Sequence, residues 1–126
     1  MPRVRACGLL ISLVVAGGLL PSAAASARQG YCSPSGDYCT SVALQDGVRT
    51  LWLGTFSFTG KASFCVTPPR GPVECVRKQL TVGDGGLYVA EVEWRKAFRS
   101  HGRGVYGVRF YAPGRVRLGP LLSFRV

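Results

Sequence analysis

From Leu87 to Arg95 the chain reads LYVAEVEWR, with apolar and polar residues in alternation. Tyr88, Ala90, Val92 and Trp94 fall on one side of an extended chain, and Val89, Glu91, Glu93 and Arg95 on the other. A period of two belongs to a β-strand with one buried and one wet face. The stretch GVYGVRFYAPGRVRL, Gly104 to Leu118, repeats the pattern: Tyr106, Val108 and Phe110 form the inward set, continued by Val116 and Leu118.

Beyond the first 27 residues no long helical period competes with this alternation. Short β-branched and aromatic runs, punctuated by glycine and proline, predict strands over 38–44, 48–56, 61–67, 73–82, 87–95, 105–111 and 116–126. The turns between them include Gln45-Asp46-Gly47, the proline-rich Thr67 to Pro72, and Gly83 to Gly86. The expected fold class is all-β: a single antiparallel sandwich of about seven strands.

The last hairpin can be argued to its register. Inward residues face inward partners only if opposed positions sum to an even number, and a slip of one residue would invert a strand. A three-residue loop, Ala112-Pro113-Gly114, meets that condition and puts Gly114 where a left-handed residue is wanted. It opposes Tyr111 to Arg115 and Arg109 to Arg117 on the wet face. Opposed like charges are mildly destabilising, so either they splay into water or an anion sits between them.

Residues 1–27 read differently. Arg3 and Arg5 precede an apolar stretch from Gly8 to Leu20, then Pro21 and small residues ending Ala25-Ser26-Ala27. That is the layout of a secretory signal peptide, with cleavage expected after Ala27. The apolar stretch is short for a membrane span, which needs about 20 residues. The expected product is a secreted chain, 28–126, forming one domain with no membrane span.

A domain of this size buries only about 60–70% of its unfolded surface, so covalent help is valuable. Four cysteines remain after the leader takes Cys7: Cys32, Cys39, Cys65 and Cys75. Their spacing suits neither a zinc site, which favours pairs two to four residues apart, nor a Cys-x-x-Cys redox centre. An even count in a small exported chain indicates disulfides, with three connectivities open. Local pairing is preferred, because Pro34 and Gly36 can turn the first loop and Cys65 and Cys75 flank a hairpin connection. Such loops contribute roughly 2.5 kcal/mol each, a large share of a small domain's stability.

Without Arg3 and Arg5 the chain holds 14 basic and 6 acidic residues, and eight of the basic ones follow Glu91. The excess favours anionic surfaces or polymers; it also serves simply to keep a small exported domain soluble. The absence of asparagine excludes N-glycosylation.

The order YVAEVEW, GRGVYGVRF, RLGPLLSFRV resembles the last three strands of an immunoglobulin-like domain. Tyr106 occupies the place of that family's corner tyrosine; Val108 stands where antibody-type domains carry a cysteine, and their core tryptophan and inter-sheet bridge have no counterpart. The whole chain is similar to small four-cysteine exported proteins of high-GC Gram-positive bacteria. That likeness implies a fold and a compartment, but no activity.

Catalytic readings find little footing. GRGVYG, Gly102 to Gly107, matches G-x-G-x-x-G but precedes a strand where a dinucleotide site requires a helix. His101, the single histidine, sits in a loop without a nearby acid and reads as solvated. Glu91 and Glu93 read as cross-strand partners for basic side chains. No catalytic residue, metal site or cofactor is expected.

The expected function is therefore non-enzymatic binding, to an anionic cell-envelope polymer or another exported protein, through Arg109, Tyr111, Arg115 and Arg117. Nucleic acid is set aside as a partner, because Phe110 points inward and exported proteins rarely meet it; the oligomeric state is left open. The rival reading is a secreted inhibitor or toxin presenting the loop 67–73, with Arg70 at its tip between prolines. Proline and a clamping disulfide would lower the ordering cost of docking.

Overall fold

The computed structural model describes residues 26–126; residues 1–25 of the expected leader lie outside the described residues. Two antiparallel sheets pack face to face. One holds β1 (Ser26–Cys32), β2 (Tyr38–Gln45), β3 (Val48–Thr55), β6 (Thr81–Val82) and β7 (Tyr88–Glu93) in the order β1-β2-β3-β7-β6. The other holds β4 (Lys61–Thr67), β5 (Glu74–Gln79), β8 (Val105–Ala112) and β9 (Val116–Arg125) in the order β5-β4-β8-β9. The expected cleavage point after Ala27 falls within β1, between the residues opposite Leu44 and Ala43.

The alternation read from the sequence is the one that fills the core. Tyr106, Val108 and Phe110 are fully buried, facing Leu51, Leu53, Ala90 and Val92 of the other sheet. Phe64 meets Phe110 edge-on at 5.5 Å, and Trp94 meets Tyr106 and Phe124 edge-on at 5.0 and 5.1 Å. Between β2 and β3 the two-residue loop Asp46-Gly47 holds φ at 51° and 77°. Two positive φ values are what a tight hairpin matched to strand twist requires.

Four expectations need correction. Among the described residues there are nine strands, not seven, because β1 lacks apolar alternation and the expected 73–82 strand is two. At the buried Leu80 the chain leaves the four-stranded sheet and joins the five-stranded one, with the Leu80 amide donating to the Gly60 carbonyl at 2.8 Å. The 87–95 strand ends at Glu93, and Trp94 opens a single helical turn, α1 (Trp94–Ala97). The turn keeps Trp94 and Phe98 together in the core four residues apart, a helical spacing. Val116 is exposed rather than inward, although Ala112 opposite it is buried.

The last correction concerns the hairpin register. Ala112 opposes Val116, Tyr111 opposes Arg117 and Phe110 opposes Leu118, so inward still faces inward. The loop is Pro113-Gly114-Arg115, with the Arg115 amide donating to the Ala112 carbonyl at 3.1 Å. A register shift follows between Val108 and Phe110, at Arg109. Arg109 and Arg117 therefore do not oppose each other. Arg109 opposes Cys65 of β4 instead.

Both local disulfides form, Cys32–Cys39 between β1 and β2 and Cys65–Cys75 between β4 and β5. Each joins directly opposed residues of neighbouring strands. Tyr31 and Tyr38, flanking the first bridge, pack against the core edge with ring centres 6.2 Å apart. The Tyr31 ring lies so close to Gly119 of β9 that a methyl group there would meet it at 2.6 Å. The Ser123 amide donates to the Gln29 side chain, so β1 ties the two sheets along one edge.

Candidate functional site

Side-chain length decides the relief of the outer face of the four-stranded sheet. On β4, Ser63 and Cys65 are short. On the neighbouring strands their opposed partners are Arg77 and Cys75 on β5, and Tyr111 and Arg109 on β8. Long side chains flanking short ones leave a trough along β4. It is a groove of about 720 Å³, lined by Lys61, Arg77, Arg109, Tyr111 and Arg115 among others, with the Cys65–Cys75 bridge in its wall.

The groove is basic and contains no carboxylate among its lining residues. The six acids of the chain lie elsewhere: Asp37, Asp46 and Asp84 in turns, Glu91 and Glu93 on β7, and Glu74 beneath the neighbouring loop. Glu93, at the end of β7, pairs with Lys96 of α1 at 3.2 Å rather than across strands. Like charges gathered without counter-charge raise the local potential and draw anions.

Arg109 is the least satisfied of these cations. It is half-buried, and its Nη1 is shielded from solvent with no hydrogen-bond partner among the described residues. An unpaired buried donor on a charged group costs about 1–3 kcal/mol or more. Arg115 carries a second cost. Its backbone holds φ at 60°, a left-handed value that glycine adopts freely and arginine does not. Arg117 lies on the same face opposite Tyr111, but outside the lining of the groove.

The loop 67–73 adjoins this face, since Thr67 and Val73 line one end of the groove. Arg70 is exposed at its tip, while Pro68 is buried. The loop rests on the segment 99–104: Pro69 packs against Gly104, and Gly71 against the His101 ring. The anion-face residues and the inhibitor-loop residue of the sequence analysis thus meet on one side of the sandwich.

His101 is not the solvated residue expected. Its Nε2 lies 3.1 Å from Glu74 Oε1, and the Arg99 amide donates to Glu74 Oε2 at 3.3 Å. These contacts hold the Glu74 carboxyl below the ordinary carboxylate range, the His101 hydrogen bond first and the Arg99 amide next, with burial opposing. The His101 amide donates to the Tyr106 hydroxyl at 2.9 Å, and that hydroxyl donates to the Gly102 carbonyl at 2.7 Å. Sequence reading missed the pair because 27 positions separate its members. Neither Glu74 nor His101 lines the groove, and no nucleophilic side chain bonds to the pair among the described residues.

Among the described residues no three His, Cys, Asp or Glu side chains gather as metal ligands. No helix there is long and apolar enough to cross a membrane. No protein-family model, curated protein or solved structure matches the chain.

Proposed function

We propose that the chain is a secreted, non-enzymatic binding module on an immunoglobulin-like sandwich, whose partner is an anionic cell-surface polymer or an exported protein bearing negative charge. The observation that carries the reading is the groove: Lys61, Arg77, Arg109 and Arg115 converge on it without a single carboxylate in its lining.

The immunoglobulin-like part rests on topology. The orders β2-β3-β7-β6 and β5-β4-β8-β9 follow the A-B-E-D and C′-C-F-G arrangement of that family, with β1 as an added edge strand. The Tyr106 hydroxyl bonds back to Gly102, as the corner tyrosine of the family does near the start of its penultimate strand.

Retention of the purified protein on its own cell walls at two salt concentrations tests the function. Binding through the groove weakens steeply with salt and is lost in the Arg77→Glu/Arg109→Glu double variant. Undiminished retention of that variant at low salt rules the groove out.

A second reading, an inhibitor or toxin presenting Arg70, is favoured by one observation: Pro69 and Gly71 are backed by Gly104 and His101 above the Cys65–Cys75 clamp. A loop held this way docks at little ordering cost. Inhibition of this kind survives moderate salt and collapses on Arg70→Ala; unchanged affinity of a demonstrated partner for that variant eliminates it.

A further inference from the structure

We infer that the group recognised in the groove is a phosphate or sulfate monoester borne on a sugar, with Arg109 gripping the oxyanion. The inference rests on the anionic-ligand reading above and narrows it to one chemical class.

Cations stand on both sides of the trough. Arg77 comes from β5 on one side, Arg109 and Arg115 come from β8 and its turn on the other, and Lys61 comes from the first residue of β4 itself. Arg77 and Arg109 lie diagonally across β4, over the short Ser63 and Cys65, two strand spacings apart and offset by two residues, so their backbones are about 12 Å apart. A carboxylate is planar and presents two oxygens, which one guanidinium fork satisfies. A monoester presents three oxygens in tetrahedral directions and accepts from both walls at once. The floor and one wall add neutral donors, the hydroxyls of Ser63 and Tyr111.

Arg109 singles itself out within the set. Its Nη1 has no acceptor among the described residues, and buried polar groups are otherwise almost always paired. An oxyanion in the trough supplies the missing acceptor once the guanidinium turns toward it. Binding therefore gains at Arg109 more than a fully hydrated cation would give.

The size of the trough admits an organic body behind the oxyanion. About 720 Å³ lies within the range of ligand sites for whole small molecules and far exceeds one ion. The Tyr111 ring, Pro113 and the disulfide supply apolar surface beside the cations, and the C–H face of a sugar ring packs on such surface.

The test is calorimetric titration of the oxidised protein at low salt with glucose phosphate, glucose sulfate, glucuronate and inorganic phosphate. Both monoesters bind; glucuronate binds about tenfold or more weakly, the worth of one lost charged hydrogen bond, and inorganic phosphate about tenfold or more weakly, for want of the apolar packing of the sugar ring. Arg109→Lys keeps the charge but loses the fork, and weakens both monoesters by about tenfold. Lys61→Gln, at an exposed side chain, weakens them independently should the Arg109 variant unfold. Equal affinity for glucuronate overturns the monoester assignment, and equal affinity for inorganic phosphate overturns the sugar. No monoester binding, together with polymer retention that is still lost in Arg77→Glu/Arg109→Glu, overturns this inference and leaves the groove standing. Retention that survives the double variant overturns both.

Discussion

Arg109 stands opposite Cys65 across β4 and β8, while Arg117 faces Tyr111. The cation that simple hairpin parity sets against another cation is set instead against a half-cystine, beside the floor of a basic trough. Arg117 belongs to the same face without entering that trough. The two arginines are therefore separable by mutation. Arg109→Glu reduces the salt dependence of binding to an anionic polymer by about one ion per site. Arg117→Glu changes it less. Retention profiles over a salt gradient, compared for the two single variants, check this ordering.

Arg115 holds a left-handed backbone that glycine takes without strain. Arg115→Gly is expected to raise stability by about 1 kcal/mol, discounted for the added freedom of glycine in the unfolded chain, and to weaken anion binding. Urea unfolding and a binding titration on the same variant measure both. A variant that loses stability and keeps affinity contradicts the assignment of Arg115 to the groove.

Tyr106 is fully buried, and its hydroxyl joins His101 and Gly102. Tyr106→Phe keeps the ring and leaves a partly buried amide and a carbonyl without their partner, at a cost of about 0.5–1.5 kcal/mol. In a domain of this size that lowers the melting temperature by roughly 4–8 °C per kcal/mol. A calorimetric melt reads it directly.

Glu74 links the segment 99–104 to the start of β5. Its carboxyl is held below the ordinary value of 4.5, chiefly by the His101 hydrogen bond. A lowered pKa in the folded state gives stability that is fully present above the unfolded value and lost as pH falls through the folded one. The native protein therefore loses stability in acid more steeply than Glu74→Gln. Denaturant midpoints for the two, followed from neutral to strongly acidic pH, should converge below the ordinary carboxylate range. Parallel curves would remove Glu74 from the account.

The Cys65–Cys75 bridge closes the hairpin that carries the trough and the Arg70 loop. Replacing both cysteines by alanine costs roughly 2.5–3 kcal/mol by loop entropy, and the Cys32 and Cys39 pair costs about the same. Only the first replacement should also lower affinity for the ligand, since Cys65 and Cys75 line the groove and Cys32 and Cys39 do not. Equal losses of affinity in the two double variants would show that stability alone is responsible.

What the sequence made legible was whatever local chemistry determines. Cysteine spacing and turn residues led to both bridges, and period-two alternation led to the inward faces of β7 and β8. What it concealed depends on partners far along the chain. β1 has no alternation because it gains order from pairing with β2 and packing Tyr31 against Gly119. The crossing at Leu80 is invisible because a strand that changes sheets keeps its β-propensity throughout. For the candidate groove, the last hairpin alone pointed to Arg109, Tyr111, Arg115 and Arg117, of which the first three line it. Lys61 and Arg77 were not found, since only the β4–β8 and β4–β5 pairings bring them alongside. The missed signal at Trp94 and Phe98 was a four-residue spacing too short to register as a helix.

Neither bridge passes from one sheet to the other. When the oxidised chain unfolds, no bridge holds one sheet to the other, yet β1 stays tethered to β2 and β4 to β5, each at a fixed opposed pair. Those tethers favour correct alignment of the two hairpins when the chain collapses again, which shortens the conformational search. The step left to chance is the meeting of the two faces across the core. Renaturation of the oxidised protein should therefore be governed by apolar docking, and that of the reduced protein by strand alignment as well.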